Sequence, residues 1–210
     1  MSLGFLDALK ESGGDWVIWL LLAASVWVVA VAVERGIVLR RERKAFDVLH
    51  LALEKLLNAG DVAKAAEMVR GRDGAAARIL AAGLSQTVSP ETMEERMSFA
   101  RLFEKRALDR HLLVLGTLGN NAPFIGLFGT VLGVIKAFRD LATAASAGPE
   151  VVMSGLSQAL IATAVGLLVA IPSVIGYNLF QKWVSDLLAE TDALAKLLTA
   201  AVRESHGRRD

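Results

Sequence analysis

The chain has no cysteine among its 210 residues, which excludes disulfide staples and thiolate metal sites. Its three histidines, His50, His111 and His206, lie far apart and form no ligand group. Neither a phosphate-binding glycine loop nor a zinc-spaced histidine pair occurs. With these catalytic sets missing, the reading is not an enzyme, with no cofactor and no metal. The more telling shortage is of charge. Trp16 to Val33, Leu112 to Ile135 and Val151 to Gln181 contain no Asp, Glu, Lys, Arg or His, although 21% of the whole chain is charged.

Each uncharged run approaches or exceeds the ~20 apolar residues that a hydrocarbon core of ~30 Å demands. With 54% hydrophobic residues, the composition joins membrane spans to a sizeable water-exposed part. The expected class is an all-α membrane protein with three transmembrane helices, long helices extending from them into a cytoplasmic helical bundle. The expected boundaries are an external segment 1–15, a first span 16–33, a cytoplasmic helical domain 34–111, a second span 112–138, an external loop 139–150, a third span 151–181, and a cytoplasmic helix and tail 182–210. Ala30-Val-Ala32 resembles a signal-peptide cleavage site, but Asp7, Lys10, Glu11 and Asp15 replace a basic leader, so an uncleaved anchor is expected.

Lys and Arg remain preferentially in the cytoplasm. Arg35, Arg40, Arg41, Arg43 and Lys44 follow the first span, Lys105, Arg106 and Arg110 precede the second, and Lys182 follows the third, against Lys10, Lys136 and Arg139 on the other side. The N-terminus is therefore expected outside and the C-terminus inside. A net charge of +1 with its basic residues gathered at span ends speaks for lipid contact and not for nucleic acid. His111, at a span entrance, reads as an interfacial packing residue.

Between the spans, Phe46, Leu49, Leu53, Leu56 and Leu57 keep a helical period that Asn58-Ala-Gly60 closes before Asp61 caps a second helix. Gly71 to Gly74 breaks that one, and Ala75 to Leu84 forms a third. Ser89-Pro90-Glu91 is a strong helix start. No glycine or proline interrupts Glu91 to Leu115, so one helix is expected to run straight into the second span, with Met93, Met97, Ala100, Phe103 and Ala107 on one face. Another is expected to continue from the third span through Trp183, Leu187, Leu188, Leu194, Leu197 and Leu198, leaving residues 203–210 as a frayed tail. Residues 1–15 read equally as an amphipathic surface segment or an unstructured tail.

The last two spans are rich in small residues at helical spacing. Gly155, Ala159, Ala162 with Thr163, Gly166, Ala170 and Ser173 form one stripe; Gly126, Gly129 and Gly133 with Thr130 and Ala137 mark the other. Such stripes let helix backbones approach where lipid supplies no hydrophobic drive. They are expected to need partners on both sides, which implies a closed ring. A lone membrane threonine more often bonds back to its own helix. Matching stripes with a central threonine each point to a shared polar pathway.

Asn121-Ala-Pro-Phe-Ile-Gly-Leu-Phe-Gly-Thr-Val-Leu-Gly133 with Ile135-Lys-Ala-Phe138, then Gly155 to Gly166, then Ala170-Ile-Pro-Ser-Val-Ile-Gly-Tyr-Asn178, resemble the ExbB, TolQ and MotA family of energy-transducing proteins of the bacterial inner membrane. The resemblance implies a pentamer around two copies of a single-span partner of the ExbD, TolR or MotB kind, with the N-terminus periplasmic. It implies that Thr130 and Thr163 line an ion path, that Pro123 and Pro172 shape their helices, and that an aspartate of the partner carries the ion. Gln158 departs from the pattern, since ExbB and TolQ have glutamate there. The spans themselves hold no ionisable carrier, whereas one charge crossing 100 mV yields about 2.3 kcal/mol. Two readings remain from the residues: an ion-conducting stator subunit, or a passive scaffold whose threonines only pack. Proton and sodium are both compatible with hydroxyls, as are import, envelope maintenance, gliding and flagellar rotation.

Overall fold

A computed structural model describes residues 14–84, 89–143 and 149–207. Among the described residues there are six α-helices and no strand: α1 (Asp15–Asn58), α2 (Val62–Arg70), α3 (Ala75–Gly83), α4 (Pro90–Leu108), α5 (Leu112–Thr143) and α6 (Pro149–Gly207). The class is the all-α membrane class read from the sequence, with α1, α5 and α6 each long and apolar enough to cross a membrane. The expected external segment up to residue 13, the turn at 144–148 and the tail at 208–210 lie outside the described residues. The segment 203–207, expected to fray, belongs to α6. Contacts divide the chain into two units, Met1–Val33 with His111–Asn178, and Glu34–Arg110 with Leu179–Asp210, and α1 and α6 contribute to both.

In the second unit, helix ends are set by local chemistry. Gly60 adopts φ +72°, its amide bonding Leu57 O at 3.0 Å while the Asp61 amide bonds Leu56 O at 3.0 Å, so α1 closes in a Schellman motif. Asp61 then caps α2, its Oδ1 accepting from the Lys64 amide at 3.1 Å. The hydrogen bond from the Lys64 side chain, followed by the backbone one, holds the Asp61 carboxyl below its ordinary range. Ser89 caps α4 by accepting from the Thr92 amide, with Pro90 at the first helical position. α3 lacks a side-chain cap of its own; Glu42 of α1 accepts from the Ala75 amide at 2.7 Å instead.

The apolar core of this unit is built on Phe46, Leu49, Leu53, Val69, Ile79, Leu80, Leu188 and Leu198, all fully buried. α3 packs on α4 through Gly83, where a Cβ would lie 2.8 Å from the Cγ atoms of Met93 and Met97. Arg78 donates to both oxygens of Glu104 at 2.7 Å, and Arg101 donates to Asp192 at 2.9 Å. Met93 and Met97 are buried as expected, but the inward face continues through Arg101, Glu104 and Leu108, leaving Phe103 and Ala107 exposed.

The uninterrupted helix expected from Glu91 to Leu115 is not observed. α4 stops at Leu108 and α5 starts at Leu112, with His111 at φ +64° and its carbonyl accepting from the Val114 amide at 3.1 Å. A side chain in the left-handed region costs roughly 1–2 kcal/mol, although histidine enters it more often than most residues. Two substitutions that both remove the imidazole isolate the backbone effect. His111→Val is expected to be less stable than His111→Gly by about 1–2 kcal/mol, read as a lower melting temperature in detergent. Equal melting of the two would remove the strain argument.

Candidate functional site in the paired small-residue helices

In the first unit, α5 and α6 meet backbone to backbone. A Cβ on Gly126 would lie 2.7 Å from Ala162 O, and one on Gly166 would lie 2.6 Å from Ala122 O. On Gly133 it would lie 2.6 Å from the Ala159 Cβ, and on Gly155 2.6 Å from the Ala137 Cβ. Gly129 meets Ala162 and also Val17 of α1, so the first span joins the pair there. The two stripes therefore satisfy each other within one chain. The expectation that they need partners on both sides is corrected by this geometry, and they do not by themselves require a ring.

The two threonines differ. Thr130 is half-buried and its hydroxyl donates to Leu127 O at 2.7 Å, the back-bond common for threonine in membrane helices. Thr163 is seated against Gly126, one turn along α5 from Thr130, and its Oγ1 is buried with no hydrogen-bond partner. An unmet buried hydroxyl costs about 1–3 kcal/mol. Two other polar groups bond back along their own helices: Ser173 donates to Val169 O at 2.6 Å and Asn121 to Thr117 O at 2.8 Å.

Pro123 lies inside α5 and Pro172 inside α6. Lacking an N–H, they free the carbonyls of Gly119 and Leu168 from their usual helical donors. Pro172 lines a cavity of about 290 Å³ with Val28, Ala32 and Val169. Gln158, exposed near the N-terminal end of α6, donates its amide to Asp15 Oδ1 at 3.2 Å. Sequence reasoning missed this partner; the available signal was that Asp15 directly precedes the first apolar run. Gln158 also lines a cavity of about 370 Å³ between Gly133–Asp140 of α5 and Glu150–Ala159 of α6. Among the described residues, no group of His, Cys, Asp and Glu is placed to hold a metal ion.

Comparison with known proteins agrees with this architecture. A model of the MotA/TolQ/ExbB proton channel family matches residues 72–193. The chain is 34% identical over 175 residues to the Tol-Pal system protein TolQ of Pseudomonas aeruginosa, covering 77% of this chain and 75% of that one. It is 37% identical over 125 residues to the biopolymer transport protein ExbB of Pseudomonas putida, covering 57% of this chain and 38% of that longer relative. It is 30% identical over 212 residues to the biopolymer transport protein ExbB of Neisseria gonorrhoeae, covering 90% and 93% respectively. A protein with three membrane-length helices, a tightly paired second and third span and these relatives belongs to the MotA/TolQ/ExbB proton channel family.

Proposed function

We propose that this chain is the channel subunit of a proton-driven motor of the bacterial inner membrane, coupling ion flow to mechanical work for envelope transport, envelope maintenance or motility. Five copies surround two copies of a single-span ExbD/TolR/MotB-like protein whose intramembrane aspartate carries the proton. The N-terminus is periplasmic and the C-terminus cytoplasmic, as the basic residues at the span ends favour. The observation that carries the reading is the close pairing of two spans that bear Thr130 and Thr163 and hold no ionisable group of their own, in a chain of this family. Such a wall stabilises a proton borne by another helix without trapping it. The scaffold reading draws its support from the back-bonded hydroxyl of Thr130.

The ring is tested by native mass spectrometry of the detergent-solubilised complex. The expected result is a five-to-two assembly, with the smaller component a single-span protein carrying an aspartate in its span. A monomer or dimer that still drives ion-dependent work would overturn the ring.

A further inference from the structure

We propose that Asp15 is the proton-accepting residue at the outer mouth of the ion path, held in place by Gln158. By sequence this carboxylate only borders the first apolar run, but the fold brings it to the third span, where the Gln158 amide donates to its Oδ1 at 3.2 Å. The turn before it is fixed. Gly14 has φ +82°, and a Cβ there would lie 2.8 Å from Gly129 O, so the start of α1 is pressed directly onto α5.

The level of this contact along the paired helices is informative. Gln158 adjoins Ala159, which packs on Gly133, and Gly133 and Ala159 line the inner end of the 370 Å³ cavity. Its outer part carries Lys136, Asp140 and Glu150. A volume of that size holds several waters, each occupying about 30 Å³ in the liquid. The helices packed against the start of α1 thus present Lys136, Arg139 and Asp140 from α5 and Glu150 from α6 as their outer charged groups. Below the level of Gln158, the runs that contain Gly129 and Thr163 carry no ionisable side chain. Among the described residues, Asp15 is accordingly the carboxylate nearest the uncharged seam, and it reaches the cavity through Gln158, which lines it.

The step is a simple proton relay, and it rests on the channel reading above. A hydronium ion reaching the cavity that Gln158 lines gives its proton to the Asp15 carboxylate, forming the O–H bond of a carboxylic acid and leaving a water molecule. That proton then leaves to a carboxylate on the partner's span, and Asp15 returns to its ionised form.

The test uses the full complex with its single-span partner in proteoliposomes under an imposed pH gradient, with proton flux read by an internal dye. Asp15→Asn keeps an oxygen to accept from Gln158 but cannot carry a proton; flux is expected to fall at least about tenfold, the low end of what a positioned acid–base group supplies. Asp15→Asn with Gln158→Glu returns a carboxylate to the other side of the same hydrogen bond and is expected to recover most of the flux. A purely structural contact predicts the opposite, with Asp15→Asn conducting like the wild type. Should Asp15→Asn fail to assemble, the double variant decides: an assembled double variant without flux would overturn the proposal. A wild-type complex that carries no flux would instead overturn the channel reading, and the Asp15 relay with it.

Discussion

Thr163→Val is expected to raise the melting temperature of the protein purified without its partner while cutting the ion-driven work of the complex by up to about tenfold. The two effects share one cause. In the isolated fold the Thr163 hydroxyl is buried without a partner, so replacing it with a methyl of similar volume removes a desolvation cost of about 1–3 kcal/mol. In the working complex the same hydroxyl would bond the moving proton's carrier. Losing one such bond, at up to about 1.5 kcal/mol, lowers the transfer rate by roughly tenfold. Thr163→Ser keeps the hydroxyl and is expected to retain most of the activity. Thr130→Val, whose hydroxyl already bonds Leu127 O, is expected to reduce work less and to leave melting nearly unchanged. Thermal melts of the partner-free protein and proton flux of the complex check all four statements. Full activity in Thr163→Val would favour the scaffold reading.

Much of the architecture was legible because membrane spans and helix caps are local signals. Charge-free runs mark α1, α5 and α6, and Gly60, Asp61, Ser89 and Pro90 mark ends that need no tertiary knowledge. The break at His111 was not legible, because Asp109-Arg110-His111 holds no glycine or proline and the mild helix aversion of Asp and His does not single out one position. Nor was the inward face of α4, where Arg101 and Glu104 sit among the core-facing positions only because Asp192 and Arg78 meet them from elsewhere. Within the candidate site, small-residue spacing located the seam, but spacing alone did not reveal that both stripes are used up within one chain. It also treated Thr130 and Thr163 alike. Hydroxyl bonding separates them, as it separates Gln158 from an ordinary surface amide once Asp15 is seen to face it.

Gly133→Ala is expected to destabilise the α5–α6 pair by about 1–3 kcal/mol, and the reason lies in which atoms the new methyl would meet. They are the Cβ of Ala159 at 2.6 Å and its Cα at 3.1 Å. Neither can rotate away, so the helices must separate along a seam that depends on close approach for its dispersion and interhelical contacts. Gly36→Ala supplies the control, because its Cβ would lie 3.9 Å from the Phe180 ring, at ordinary contact distance. There the better helix propensity of alanine is expected to stabilise by up to about 1 kcal/mol. The decisive measurement is the exchange Gly133→Ala with Ala159→Gly, which moves the methyl across the seam and keeps its volume. If the damage comes from the clash and not from the residue at 133 as such, the double variant recovers most of the lost melting temperature, giving a coupling of about 1–3 kcal/mol between the two positions. Additive losses in the double variant would mean that the seam tolerates separation and that its glycines serve something other than close packing.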